Sequence, residues 1–598
     1  MELLNLDGVI EKGVFEIPSY QRGYAWQERQ LKDFWNDLEH VSKLGDKFHY
    51  MHSLTLRELE NEFENSAFEI IDGQQRLATS LILLGLLAKI TQNKDPKYSL
   101  INLEPILSYK YYGLSEAFRA ITEEEKDLEA FKTSTSFYAK NLIDAHAFFK
   151  EKISNTPIET LEKMFDALIK KMLFSVVGLN DNRIDPFSSF ETINNRGKDL
   201  STLELFKNRL HFVVHKICEG KKLEKLQQEI NDTYTLIYHD LRQFEDAHLE
   251  SFLKHFVAYY YGENSKFKER LLDTAFDAHK KYDDLYDEYE KINDLLLYLS
   301  YSSKVWYFLH TLDDEELRIE ITPKMRDLLG KMQHLNALSD NAFLPLLLSL
   351  FTIQLAVRSA NEQPYTTQEL EGLLEYLERF GFLIYGVAGK NTAKNEWIGL
   401  AFKAIQACRF WEDKITIEDL PPLEKHFFKG KHSGLELLEE NIHSKKNTEK
   451  WYQWGKALNY LLYEYELYHN PETTLNFDGS IESIEHILPQ NPDQGYSAKE
   501  KSWAKNPHIV HALGNLLLIP KNANSSLSNK PFDEKRKAYL KGSYSEKEVA
   551  KNASFGITEI QERSEKLLDF LIAHYRIAEL VGESAIKAFK NALLKEIR

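Results

Sequence analysis

At 598 residues the chain exceeds what one hydrophobic core usually serves, and roughly 150 residues per domain predicts about two to four domains. Hydrophobic residues make up 43% and charged residues 28%, with only 16 Pro and 26 Gly, which excludes collagen-like, low-complexity and largely disordered chains. Asp and Glu outnumber Lys and Arg by 92 to 75, a net charge of -17, so long-range attraction to polyanions is excluded as the main mode of action and any nucleic-acid contact must be local.

Two cysteines, Cys218 and Cys408, allow neither a disulfide framework nor a paired-cysteine zinc site, and a reducing compartment, the cytoplasm, is expected. Met1–Ile10 carries Glu2 and Asp7 and lacks a basic start followed by an apolar run, so no secretory signal is expected. The longest uncharged apolar stretches, Leu77–Ala88 and Phe343–Val357, fall short of the ~20 residues that span a bilayer. Both are expected as buried helices, with no membrane partner.

Up to about Asn93 the pattern is α/β: Gly13–Ile17 and Phe68–Ile71 read as strands, Gln27–Leu44 and Leu77–Ile90 as helices. Amphipathic helices follow at Phe137–Ile153 and Leu161–Leu173, then a strand at Phe174–Leu179 that could return to the first sheet. Ser201, three residues before Glu204, forms a capping box for a helix through Leu210. From about Leu223 to Arg409 helical periodicity runs with few turn signals and no fixed-period repeat, predicting an all-α middle whose role as scaffold, DNA clamp or oligomer interface stays open. Pro421, Pro422, Gly430 and Gly434 mark a boundary, and from Trp451 helices enclose an irregular stretch, Ile481–Tyr544. The expected fold class is α+β, predominantly helical, in three domains: 1–220, 221–420 and 421–598.

The run Ala67-Phe-Glu-Ile-Ile-Asp-Gly-Gln-Gln-Arg76 places a strand before Asp72 and Gly73 and a long helix after it. Gly73 permits close backbone approach, the helix start exposes unpaired N–H groups, and Arg76 suits phosphate oxygens. Asp72 could hold magnesium or a nucleotide hydroxyl, and Gln74 and Gln75 could orient phosphates or water. The plain alternative is an Asp-Gly turn with a surface arginine. Upstream, Ile17-Pro-Ser-Tyr-Gln-Arg-Gly-Tyr-Ala-Trp26 gathers aromatics with Gln21 and Arg22, suited to a base or phosphate or simply to anchoring the next helix. Downstream, Phe190–Leu200 supplies another polar turn with Asn194, Asn195, Arg196 and Lys198.

These three segments, in this order, resemble the N-terminal domain of GmrSD-type restriction proteins, over roughly Met1–Leu210. The resemblance implies a ParB-like nucleotide-binding fold supporting nucleoside triphosphate hydrolysis, with GTP, ATP and CTP all open. It assigns Asp72, Gly73, Gln74, Gln75 and Arg76 to the nucleotide, and Gln21 and Arg22 less directly.

Near the C-terminus, Ile484-Glu-His-Ile-Leu-Pro-Gln490 reads as a strand and turn, Leu513–Pro520 as a second strand, and Asn522–Lys530 as a polar loop leading to a helix. Phosphodiester hydrolysis needs a base to activate water and a hard cation to neutralise developing charge. His486 is the candidate base; Glu485 and Asn524 offer oxygen ligands for Mg2+ or Mn2+; Asn515 could orient the imidazole or the phosphate. A lone strand histidine is more often packed or solvated than catalytic. The order of these motifs, however, resembles the HNH nuclease ββα-metal fold in the zinc-free form found at the C-terminus of GmrSD-type proteins. Ser528–Lys535 resembles that family's ending, and Lys530 and Lys535 are expected at DNA phosphates. Two departures stand out: Glu485 replaces an Asp, and Asn524 replaces the final His of the named motif. Between Ser480 and Glu546 nine Lys or Arg face seven Asp or Glu, reversing the sign of the whole chain.

The expected function is a prokaryotic anti-phage endonuclease in which a metal-dependent HNH site is coupled to nucleotide binding or hydrolysis. DNA is the implied partner, either modified phage DNA or phosphorothioated DNA. The alternative is a nucleotide-regulated DNA-binding sensor that does not cut.

Overall fold

The computed structural model describes residues 2–597 apart from 60–65, 92–105, 111–113, 124–127, 129–135, 180–186, 188–199, 245, 264, 278–279, 283–284, 316, 357–363, 411–412, 476–481 and 493–494. The Phe190–Leu200 turn expected to be polar therefore falls, but for Leu200, outside the described residues. The chain packs as two compact units, Met1–Leu317 with Phe351–Arg358, and Arg318–Leu350 with Ser359–Arg598. Both are rich in helices, and the only extended sheet among the described residues is in the first. No described helix is long and apolar enough to cross a membrane.

The first unit is built on a mixed six-stranded sheet, in the order β1 (Glu2–Asn5), β6 (Met172–Gly178), β3 (His49–Leu59), β4 (Ala67–Asp72), β2 (Val14–Ile17), β5 (Leu107–Tyr109). The expected strands at 13–17, 68–71 and 174–179 are present as β2, β4 and β6, and β6 does return to the sheet, parallel to β3. Central β3 has no sequence signature: its burial pattern is irregular, and its register with β6 shifts between Tyr50 and Ser53. The helix Gln74–Ile90 is buried along nearly its whole length, as an all-round apolar helix must be. The Ser201 capping box forms as expected: Ser201 Oγ accepts from Glu204 N at 3.2 Å and Glu204 Oε2 accepts from Ser201 N at 2.6 Å.

In the second unit the helices Pro323–Ser339, Thr367–Phe380, Lys456–His469 and Ile557–His574 enclose a polar cluster. Glu378 Oε1 accepts hydrogen bonds from the hydroxyls of Tyr460 (2.6 Å) and Tyr575 (3.0 Å), while Lys331 reaches Glu464 Oε2 at 3.0 Å. Burial, then the charge of Glu464, pushes the Glu378 carboxyl up to about 7. A carboxyl held neutral in the fold binds a proton that the unfolded chain has released. Its stabilising contribution is therefore complete below the ordinary carboxylate range and is lost as pH rises towards about 7. Glu378→Gln is expected to remove on the order of 3 kcal/mol of that slope. Denaturant melts of both proteins at pH 5 and pH 8 test it; parallel losses of stability would refute it.

A two-stranded antiparallel sheet, β7 (Glu482–His486) and β8 (Leu516–Pro520), completes the second unit. Its supporting turn is clamped to the helix Ile557–His574: Gly514 N donates to Ser564 Oγ (2.8 Å), and buried Arg563 donates Nη1 to the carbonyls of Gly514 (2.9 Å) and Leu516 (2.7 Å). A side chain at Gly514 would put Cβ 2.0 Å from the Ile560 carbonyl oxygen, so only glycine allows this approach.

Candidate functional site

The DGQQR arm and the PSYQRGYAW strap form one interlocked structure. β4 ends at Asp72, and Gly73 turns the chain with φ +103, where an added Cβ would meet Leu54 Cδ1 at 2.9 Å and Ser53 O at 3.0 Å. Gln74 Nε2 then donates to Arg22 O (3.0 Å), and Gln75 spans the strap by donating to Gly23 O (2.9 Å) and accepting from Ala25 N (2.8 Å). Gln21 reaches back to the Ile70 and Ile71 carbonyls, and the Tyr24 hydroxyl meets Thr79 Oγ1 at 2.6 Å. Buried Lys207 donates to the Ser19 carbonyl. The glutamine amide nitrogens are thus spent holding backbone to backbone. Gln75 is engaged at both ends, so its sequence-expected part in orienting phosphate or water gives way to a structural one.

Other polar atoms are left over. Gln21 Oε1, Gln74 Oε1 and Arg76 Nε are buried without a hydrogen-bond partner. Arg76 Nη2 donates to Ser53 O (2.7 Å) and to Asp72 Oδ2 (3.1 Å), which also accepts from Ser53 Oγ (3.1 Å). Arg22 is buried. Next to the strap a cleft of about 600 Å³ opens, lined among others by Ser19, Tyr20, Arg57, Glu69, Lys110 and His211; Asp72 and Arg76 do not line it.

In the C-terminal unit β7 and β8 lead directly into the helix Lys521–Leu527, a ββα arrangement. The polar loop expected before that helix is absent: Pro520 ends the strand and caps the helix, and Asn522–Leu527 are helical. Glu485 and His486 are adjacent in sequence, but successive strand residues face opposite sides. Glu485 Oε1 accepts from Lys535 Nζ (2.5 Å) and the Tyr539 hydroxyl (3.1 Å), while His486 Nε2 meets His511 Nδ1 at 3.0 Å. The Tyr452 ring lies over both imidazoles, with centroids at 5.0 and 5.9 Å, and Gln490 Nε2 comes within 3.4 Å of His486 Nδ1.

The electrostatics follow from burial. Desolvation, reinforced by His511 and Lys535, drives His486 down to about 3, so at neutral pH its ring is neutral and has a lone pair to offer. Burial pushes the Glu485 carboxyl up and the Lys535 amine down, and their mutual attraction opposes both shifts. The 2.5 Å contact, with the Tyr539 hydroxyl and the His486 carbonyl (2.8 Å from Lys535 Nζ), satisfies the two as an ion pair.

Sequence expectations change for Lys535 and Asn515, while Asn524 keeps the oxygen it was expected to offer. Lys535 is fully buried beneath β7 and cannot reach a DNA phosphate; Lys530 is exposed. Asn515 is fully buried and spends its amide on backbone, donating to Leu488 O (2.9 Å) and Val510 O (2.7 Å) and accepting from Leu488 N (2.7 Å), so it shapes the turn after β7 and neither orients the imidazole nor meets phosphate. Asn524 Nδ2 braces β7 through Ser483 Oγ (2.8 Å) and Ile484 O (3.1 Å), which leaves only Oδ1 for a cation. Among the described residues no group of three or more His, Cys, Asp or Glu could hold a metal ion. With Glu485 already neutralised by an ammonium group, a cage built by protein alone does not fit. Sequence reasoning missed His511 and Tyr452; an imidazole four residues before Asn515 was the available signal for the first.

A buried imidazole, His486, thus lies at the end of β7 in a ββα arrangement. Residues 3–212 match the family model described as GmrSD restriction endonuclease, N-terminal domain, and residues 438–570 match GmrSD restriction endonucleases, C-terminal domain. The chain belongs to the GmrSD restriction endonuclease family, which makes it a DNA-cleaving defence nuclease. No curated protein matches the chain.

Proposed function

We propose that the C-terminal module hydrolyses DNA phosphodiesters as an HNH-type site with His486 as the base, and that a nucleoside triphosphate bound at the DGQQR arm controls this cleavage. The His486 imidazole carries the reading by its place, at the end of β7 in the ββα arrangement and held through Nε2 by His511. Exposed Lys521, Lys530, Lys537 and Lys541 supply the local positive surface a phosphate backbone needs on an acidic chain. Mg2+ keeps much of its water and is commonly held by substrate phosphates with only one or two protein oxygens. Asn524 Oδ1 would be such an oxygen for Mg2+ or Mn2+, whereas Glu485, paired with Lys535, would not, and the bound ion would neutralise charge on the phosphate. Asn515 holds the turn in place, Tyr452 covers the imidazole pair, and Lys535 fixes Glu485.

At the other site, the orphaned Arg76 Nε and the Asp72 carboxylate support binding of a triphosphate, with GTP, ATP and CTP as candidates. Coupling has a physical rationale: an ungated nuclease would cut host DNA, so a nucleotide- or modification-biased equilibrium restrains it. The deciding experiment is a cleavage panel crossing plain, phosphorothioated, hydroxymethylated and glucosylated DNA with each nucleotide and with Mg2+, Mn2+ or EDTA. Intact DNA in every arm would defeat the proposal. Arg76→Ala is expected to lower nucleotide hydrolysis roughly 100-fold, as loss of a charge-stabilising donor does. Phosphate release reads this, and turnover equal to the wild type would remove Arg76 from the mechanism.

A further inference from the structure

The His486–His511 contact constrains which nitrogen can act. Two imidazole nitrogens 3.0 Å apart share one proton, so one donates and the other accepts. If His511 Nδ1 donated, His486 would carry its own proton on Nδ1 and, with Nε2 occupied, would have no free lone pair. If His486 Nε2 donates, Nδ1 keeps its lone pair; the Gln490 amide nitrogen, which can only donate, meets Nδ1 at a long 3.4 Å, which agrees with an unprotonated Nδ1 and leaves a weak contact for the attacking water to displace. The second arrangement alone makes His486 a base.

The surroundings favour it. His511 is buried, and burial holds its ring below the ordinary imidazole range against the opposing pull of Glu449, so at neutral pH it is neutral and keeps one nitrogen as an acceptor. Its Nδ1, 3.0 Å from His486 Nε2, is placed to accept the hydrogen that Nε2 carries. The backbone holds the pair rigidly: His511 N donates to Pro507 O (3.1 Å) at the end of the short turn Pro507–Val510, and two residues later Leu513–Asn515 is clamped to the helix Ile557–His574. Tyr452 caps both rings, at 27° to the plane of His511.

We propose that His511 is a positioning residue for DNA cleavage: its Nδ1 accepts from His486 Nε2–H and thereby leaves His486 Nδ1 as the atom that takes the proton from the attacking water. This rests on the reading of His486 as the base, and it predicts a tautomer that can be observed without any cleavage. His511 would touch neither water nor DNA. It acts by orientation, as hydrogen-bond partners of functional histidines do elsewhere.

The test uses the full-length protein with ¹⁵N-labelled histidine, His486 being assigned by the signal missing from His486→Gln. The expected wild-type spectrum has His486 protonated on Nε2 and bare on Nδ1. His511→Phe keeps a ring and loses the acceptor; His511→Asn keeps a side-chain oxygen near the position of Nδ1. His511→Phe is expected to lower kcat roughly 10–100-fold with little change in KM for DNA and to mix the His486 tautomers. His511→Asn is expected to recover most of the lost kcat and the Nε2–H form. A wild-type His486 protonated on Nδ1 would overturn the proposal whatever the cleavage assays give. Asn and Phe variants equally impaired, or a Phe variant with wild-type kcat, would also overturn it. If no DNA is cut under any condition yet the Nε2–H tautomer is present and lost in His511→Phe, the tautomer assignment stands and only the nuclease reading falls.

Discussion

Lys535→Met is expected to destabilise the C-terminal unit by about 3–5 kcal/mol, the cost of leaving a buried charge without its partner. Lys535 is fully buried, its ammonium lies 2.5 Å from Glu485 Oε1 and 2.8 Å from the His486 carbonyl, and no water can take its place without opening the packing around β7. The double substitution Glu485→Leu with Lys535→Met should recover most of the loss, because apolar groups of similar size need no partner. Denaturant titration of the three variants measures both numbers. A single Lys535→Met within 1 kcal/mol of wild type, as is common for exposed pairs, would show that the pair is solvated. Since Glu485 precedes His486 on the same strand, the unstable single variant should also lose cleavage, and the double variant shows how much of that loss comes from the fold.

The second large effect concerns chemistry. His486→Ala is expected to reduce DNA cleavage by roughly 10²–10⁴-fold, the usual contribution of a positioned general base. Nucleotide hydrolysis should be unchanged, because the DGQQR arm and its strap are built entirely from residues of the first unit. Single-turnover nicking alongside phosphate release separates the two activities. Retention of cleavage within tenfold would move the base elsewhere, with His511 the next imidazole in line.

Much of the local architecture could be read from residues alone. The strand before Asp72, the all-round apolar helix after it, the Ser201 capping box and the two C-terminal strands all arise from short-range patterns: alternation, continuous hydrophobicity, and a hydroxyl three residues before a carboxylate. Strand β3 was not legible, because a strand in the centre of a mixed sheet is selected by its neighbours, and a bulge between Tyr50 and Ser53 interrupts its alternation. Helix Lys521–Leu527 was hidden behind an Asn- and Ser-rich composition that usually marks a loop, and it forms because Pro520 presets its entry and Asn524 ties it to β7.

Sequence by itself determined which chemistries are present: an arginine after an Asp-Gly turn, an imidazole beside a carboxylate, and two asparagines further on. Tertiary structure decided what each does. Amides that could orient a phosphate, as in Gln75 and Asn515, are spent on backbone groups that would otherwise be buried unpaired. A lysine that could touch DNA neutralises Glu485 instead, and a histidine with no motif of its own, His511, becomes the partner of His486. The reason is geometric: hydrogen-bond partners are chosen by which groups folding brings within about 3 Å, and residues 25 or 50 positions apart carry no local mark of that pairing.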